Sequence, residues 1–147
     1  MKLTKKIIDG IEVYFENGVK KYTHYKDSNG FEVWREYDSN NNVTHFENNE
    51  CYEWWSEYDS NNNETHFKNS NGYETWKEYD SNSNETHFKD NKGFEWWSEH
   101  DSNNNVTHFK NSNGYERWSD THPNNPKNKE VAEVEVEVEP FTFSKLG

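Results

Sequence analysis

Five histidines recur at a constant interval of 21 residues, at His24, His45, His66, His87 and His108, each preceded by threonine and followed by Tyr25, Phe46, Phe67, Phe88 or Phe109. A column of imidazoles first suggests a metal. If equivalent residues sit on every second strand of a sheet they lie about 9.5 Å apart, whereas nitrogens sharing one zinc each lie about 2.0 Å from it. The column therefore cannot gather around one ion, and each histidine is expected to pack or hydrogen-bond within its own unit. No metal and no cofactor is expected. The segments opening at Asp38, Asp59, Asp80 and Asp101 resemble the first half of a calcium loop. An EF-hand needs a bidentate acid at its twelfth position, and counting from Asp59 and Asp80 reaches Ser70 and Asn91. Local Asx turns account for the same residues. Cys51, the single cysteine, occupies a column otherwise held by Gly30, Gly72, Gly93 and Gly114, with Glu47, Glu50 and Glu53 around it. A reactive thiolate needs the opposite, basic setting. Nothing resembling a catalytic triad or a phosphate-cradling glycine loop stands out, and a site repeated five times is a poor single active centre. The chain reads as non-enzymatic.

What remains is charge and rings. Glu36, Glu57, Glu78 and Glu99 form one column, Glu32, Glu53, Glu74, Glu95 and Glu116 another, and Trp34, Trp55, Trp76, Trp97 and Trp118 a third. The column from Glu36 to Glu99 predicts a line of negative charge able to register a basic groove. Trp54 and Trp96, next to members of the Trp column, are expected on the opposite sheet face as exposed binding aromatics. Acidic side chains number 28 against 16 basic ones, for a net charge of −12. Direct binding of nucleic acid or of an anionic membrane is disfavoured at that charge, and the expected partner is a protein with a basic surface. The opening residues contain no apolar run of signal-peptide length and no stretch suits a membrane span. With one cysteine, that points to the cytoplasm.

The elements that position these columns follow from the same period. The hydrophobic fraction is 29% while Phe, Trp and Tyr alone make up 17%, so apolar surface is concentrated in rings that favour strands. Within a unit, Glu64–Lys68 is followed by Asn69-Ser70-Asn71-Gly72, then Tyr73–Tyr79, then Asp80-Ser81-Asn82-Ser83-Asn84. Asn-Gly between aromatic-bearing runs predicts a hairpin, and the Asx-rich segment a return turn. The fold class expected is all-β: an elongated antiparallel meander built from tandem 21-residue β-hairpin repeats. With a two-residue Asn-Gly turn Phe67 would face Trp76; with a three-residue bulged turn His66 would, and both remain open.

Residues 1–122 form the array, with units near 23–43, 44–64, 65–85, 86–106 and 107–122 and a degenerate unit with a shortened turn around Gly10–Gly18. Residues 123–130, with Pro123 and Pro126, read as a linker. Residues 131–147 read as a capping strand and tail, because Glu133–Glu139 alternates strictly between valine and glutamate.

The run Tyr14–Lys20 and the repeated Gly-aromatic-Glu-x-Trp-x-Glu-Tyr-Asp, as in Gly72–Asp80, resemble the MORN-variant repeats of bacteria. The Tyr-Asp pairs at 37–38, 58–59 and 79–80 also resemble the YD repeats of RHS proteins. Both resemblances imply a scaffold of successive hairpins and bring no catalytic residues. The leading expectation is an acidic protein-binding scaffold. The alternatives are a nucleic-acid-mimicking inhibitor, such as a phage-encoded anti-defence protein occupying a basic channel, and a fragment of a surface or toxin-associated repeat protein.

Overall fold

A computed structural model describes residues 3–129. Twelve strands make one antiparallel sheet in strict sequence order: β1 (Leu3–Ile8), β2 (Ile11–Glu16), β3 (Val19–Lys26), β4 (Glu32–Tyr37), β5 (Val43–Asn48), β6 (Glu53–Tyr58), β7 (Glu64–Asn69), β8 (Glu74–Tyr79), β9 (Glu85–Asp90), β10 (Glu95–His100), β11 (Val106–Asn111) and β12 (Glu116–Trp118). A single turn of helix, α1 (Pro126–Lys129), follows. The expected meander of hairpins is the fold, and eleven strand intervals of about 4.8 Å give it a span of about 53 Å. Only neighbouring strands touch, so the array is stabilised as a series of nearest-neighbour interfaces.

Two turn types alternate along the repeats, and one device builds both. In the hairpin turn, Asn69 accepts from the Gly72 amide and donates its own amide to the Tyr73 carbonyl, and Gly72 adopts φ 78°. The Asn69 side chain accepts the amides of Asn71 and Tyr73. The return turn repeats this at Asp59, with Asn62 at φ 66° and the Asp59 carboxylate accepting from Asn61 and Asn63. Both are three-residue turns closed by a left-handed residue. His66 therefore opposes Trp76, and Phe67 opposes Thr75. At the N-terminus no Asx residue stands three before Gly10 or Gly18. Asp9-Gly10 and Asn17-Gly18 both take positive φ there, giving the two-residue turns of the shortened unit.

The Thr-His-aromatic motifs from Thr44 onward also have a structural reason, whereas Thr23 pairs in register with Val13. The register shifts between Glu57 and Tyr58, so Thr65 is the extra residue of a β-bulge, and its hydroxyl donates to the Glu57 carbonyl. Thr86 and Thr107 do the same to Glu78 and Glu99. Beyond the bulge His66 points to one face, called the front, and Phe67 to the other, the back.

The sheet is one layer thick, and Val13 and Val33 are its only buried hydrophobic residues among those described. Stability comes instead from ring stacks and from ladders along both long edges. On the hairpin edge the Ser70 amide donates to the Glu53 carbonyl, while the Ser70 hydroxyl accepts the Glu53 amide. On the return edge Asn42 reaches Asn62, Asn63 reaches Ser83 and Asn84 reaches Asn104. Both sets tie each turn to its neighbour, and those on the hairpin edge also satisfy backbone groups that two-strand pairing alone leaves open.

Past β12 the chain turns back on the front face. His122 packs edge-on against Trp118 at 4.6 Å and is buried, and Asn125, also buried, caps α1 by accepting the Lys127 amide. Of the stretch expected as a linker, 123–129 thus contains a helical turn with Pro126 at its first position, where a missing N–H costs nothing. The expected capping strand and tail, 131–147, lie outside the described residues.

Candidate functional site

On the front face every unit places a histidine between two glutamates and on a tryptophan. His45 lies 2.8 Å by Nε2 from Glu53 and 3.6 Å by Nδ1 from Glu36. His66 bridges Glu74 and Glu57 at 2.8 and 3.6 Å, and His87 bridges Glu95 and Glu78 at 2.8 and 3.4 Å. The rings stack on Trp55, Trp76 and Trp97 with centroids 5.2, 5.4 and 5.2 Å apart, within 12° of parallel. The short Nε2 contact is a donated N–H; a doubly protonated ring would serve both carboxylates. One glutamate of each triad is thereby tied down, and the other is left to solvent. Side-chain exposure of Glu36, Glu57, Glu78 and Glu99 is 51%, 76%, 74% and 60%.

The two ends vary the triad. Next to His24, Lys5 and Tyr14 hold the Glu12 carboxyl down to about 2 by hydrogen bonds. At the other end Glu99 receives two imidazoles, His122 Nε2 at 3.0 Å and His108 Nδ1 at 3.2 Å. His122 Nδ1 accepts the Asn124 amide, so its proton sits on Nε2 and donates to Glu99. His122 first, then His108, hold the Glu99 carboxyl below its ordinary value.

Around Glu36, Glu57, Glu78 and Glu99 the return-turn edge is uniformly acidic. No lysine or arginine occurs in 36–46, 57–67, 78–88 or 99–109. Asp59, Asp80 and Asp101 join the edge, each held ionised below its ordinary range by the side-chain amide four residues on and by backbone amides. Front-face lysines collect near the hairpin turns instead, as Lys26, Lys68, Lys89 and Lys110. Lys68 and Lys110 cover the Trp55 and Trp97 rings at 5.0 Å. Trp34 and Trp76 are left 37% and 38% exposed. Shallow grooves separate these ridges. One of about 390 Å³ is lined by Tyr22, His24, Trp34, Glu36 and Glu47, and another of about 310 Å³ by Glu78, His87, Trp97, Glu99 and Lys110.

The expectation for Trp54 and Trp96 is corrected. They do lie on the opposite face from the Trp column, but half-buried. Trp54 stacks on Phe46 at 5.7 Å and meets Phe67 at 5.9 Å, and Trp96 lies between Phe88 at 6.0 Å and Phe109 at 5.6 Å. Phenylalanines flank both sides because they oppose or follow the same register position on adjacent strands. The exposed tryptophans are front-face Trp34 and Trp76. A 42-residue alternation, in which Val33-x-Arg35 and Thr75-x-Lys77 alternate with Trp54-x-Ser56 and Trp96-x-Ser98, is the signal that would have separated them. A large ring on the back face needs a small neighbour two residues on, and Ser56 and Ser98 are buried there.

One unit departs from the front-face pattern. Glu47 stands where other units have lysine and lies directly across from Glu53. His45, Glu47 and Glu53 bring three possible ligand atoms within 4.8 Å of one another, the one such group among the described residues. Cys51 closes the same unit's hairpin turn, exposed and left-handed at φ 65°.

No protein-family model matches the chain, and no curated protein matches it significantly.

Proposed function

We propose that this protein is a non-enzymatic binding scaffold whose front face and acidic return-turn edge receive an elongated basic segment of a partner protein. The observation that carries the reading is the segregation of charge. Four exposed glutamates stand about 9.5 Å apart along an edge without a single lysine or arginine, beside two exposed tryptophans that can take cationic side chains over their rings. Only neighbouring strands touch, so the line is held by a continuous sheet rather than by loops, which suits registration of a repeating charge. The resemblance to MORN-variant repeats points the same way.

The mimic reading retains one specific support. Each unit of the edge contributes two acids, such as Glu57 and Asp59, per about 9.5 Å, while Glu64 turns to the back face and pairs with Lys77 at 3.1 Å. A duplex carries a charge about every 1.7 Å and a single strand about every 3.4 Å. At about 4.8 Å per charge the edge is closer to a single strand than to a duplex.

Titration with an arginine-rich peptide tests the proposal. Binding should quench tryptophan fluorescence and weaken as salt rises, since exposed charges are screened over about 8 Å at physiological ionic strength. Glu57→Lys with Glu78→Lys should weaken it at least tenfold while leaving the β spectrum unchanged. Equal binding by this variant and the parent across a salt series would sink the acidic-face reading. Competition by oligothymidylate for a single-strand-binding protein would favour the mimic.

A further inference from the structure

The two ends of the sheet are treated differently. At the far end β12 has three residues, and the segment from Ser119 packs over it, with His122 reaching Glu99 on β10. At the near end all six residues of β1 are exposed, among them Leu3 at 43%, Ile7 at 71% and Ile8 at 47%. Among the described residues nothing pairs with its outer edge. Ile8 and Ile11 close the two-residue turn. By the alternation of antiparallel pairs, Thr4, Lys6 and Ile8 bond inward to β2, while Leu3, Lys5 and Ile7 present their amides and carbonyls outward. An unpaired edge of this kind is a template for another strand, and Lys5 and Lys6 bias it against a like-charged partner and toward an acidic one.

Outside the described residues the sequence contains one segment with strand alternation and matching length, Glu133–Glu139. Its four glutamates share one face, so added beside β1 they meet Lys6 on the back while its valines meet Leu3 and Ile7 on the front, where Lys5 is already bonded to Glu12. It cannot serve the β1 of its own chain. From Lys129 to Val134 is five residues, at most about 18 Å of extended chain. Even from β10 to β1 is nine strand intervals, about 43 Å. A second copy's β1 is a worse occupant, because the two-fold antiparallel registers that overlap most set Lys5 opposite Lys5 or Lys6 opposite Lys6, and like charges directly opposite are unfavourable.

We infer that the acidic strand Glu133–Glu139 of one copy adds to the outer edge of β1 of the next, joining chains head to tail. The contact is heterologous, so it continues into linear oligomers unless it closes into a ring. Backbone bonds along the outward β1 groups supply affinity, and the glutamate–lysine pairing supplies selectivity and salt dependence.

Light scattering and sedimentation on the full chain test this. Mass should rise with concentration, to at least twofold, and fall back to one chain in high salt. Ile7→Pro removes an outward amide without breaking a bond to β2, and Val136→Pro breaks the alternation of the acidic strand. Each variant alone should remain a single chain. An equimolar mixture should give a dimer and stop, because the first supplies only the acidic strand and the second only the edge. A parent that is monomeric at every concentration overturns the inference. So does assembly that survives Val136→Pro, which would mean that β1 pairs with itself or that another surface is used.

Discussion

Trp54 and Trp55 are neighbours in sequence and differ in almost everything else. Trp54 lies on the back among phenylalanines, with the Arg35 guanidinium over the Phe46 ring at the cluster's margin, and holds adjacent hairpins together. Trp55 lies on the front, stacked on His45, under Lys68 and beside the glutamates. The back face repeats ring contacts, and the front face repeats polar ones that leave Glu36, Glu57 and Glu78 open to solvent, while Glu99 takes up His122 and His108. In a sheet one layer thick the two faces divide the work: one supplies cohesion and the other is available for recognition.

The largest effect that could break this division is loss of a back-face ring. Trp96→Ala should cost about 2–3 kcal/mol, the half-buried share of a tryptophan's apolar area together with its stacking. Trp76→Ala, on the front and 38% exposed, should cost about 1 kcal/mol, the worth of one His66 stack. Denaturant titration of both variants measures the difference, and equal costs would end the comparison.

A gain of about 1 kcal/mol is expected from His100→Tyr. On the back face Tyr58 and Tyr79 donate to the carbonyls of Val43 and Glu64, but His100 stands in their column with a buried Nδ1 that has no partner. Calorimetry should show a higher Tm, and an unchanged or lower one would mean that the ring satisfies something else. Cys51→Gly should add a similar amount or somewhat less, because a non-glycine residue at φ 65° bears a left-handed penalty of about 1–2 kcal/mol, partly offset by glycine's greater unfolded entropy. Its effect should appear in stability alone, with peptide binding on the front unchanged.

The smallest effect is one of pH, and it falls on the front. Glu99 has its carboxyl lowered by His122 and His108 in the folded chain. Its contribution is fully present above the unfolded value of about 4.3 and is lost as pH falls through the lower folded value. The segment from Ser119 should therefore loosen from Trp118 in acid before the back-face clusters do. Hydrogen exchange of the Asn124 and Lys127 amides would report it, and protection that persists until global unfolding would count against it.

The strand count, the antiparallel order and the columns were legible in the sequence, because a side-chain period of two and a unit period of 21 leave little freedom once both turns are recognised. The loop length was legible as well, in a signal not used: Asp27, Asn48, Asn69, Asp90 and Asn111 each stand three before the left-handed residue, and their side chains select the three-residue turn. Without that signal, both His66 and Phe67 were admissible opposite Trp76.

The sequence alone determined that hairpins repeat and which residues share a column, since these depend on local turn chemistry and alternation. Only the tertiary structure decided what each column does. A one-residue difference in loop length exchanges the faces of every side chain that follows, and exposure depends on neighbours 8 and 13 residues away on the two adjacent strands, which only the register brings into contact. That is why Trp54 and Trp96 proved to be clamped while Trp34 and Trp76 stayed open. It is also why the lysine-free stretches of the sequence assemble into one acidic edge opposite a lysine-bearing one.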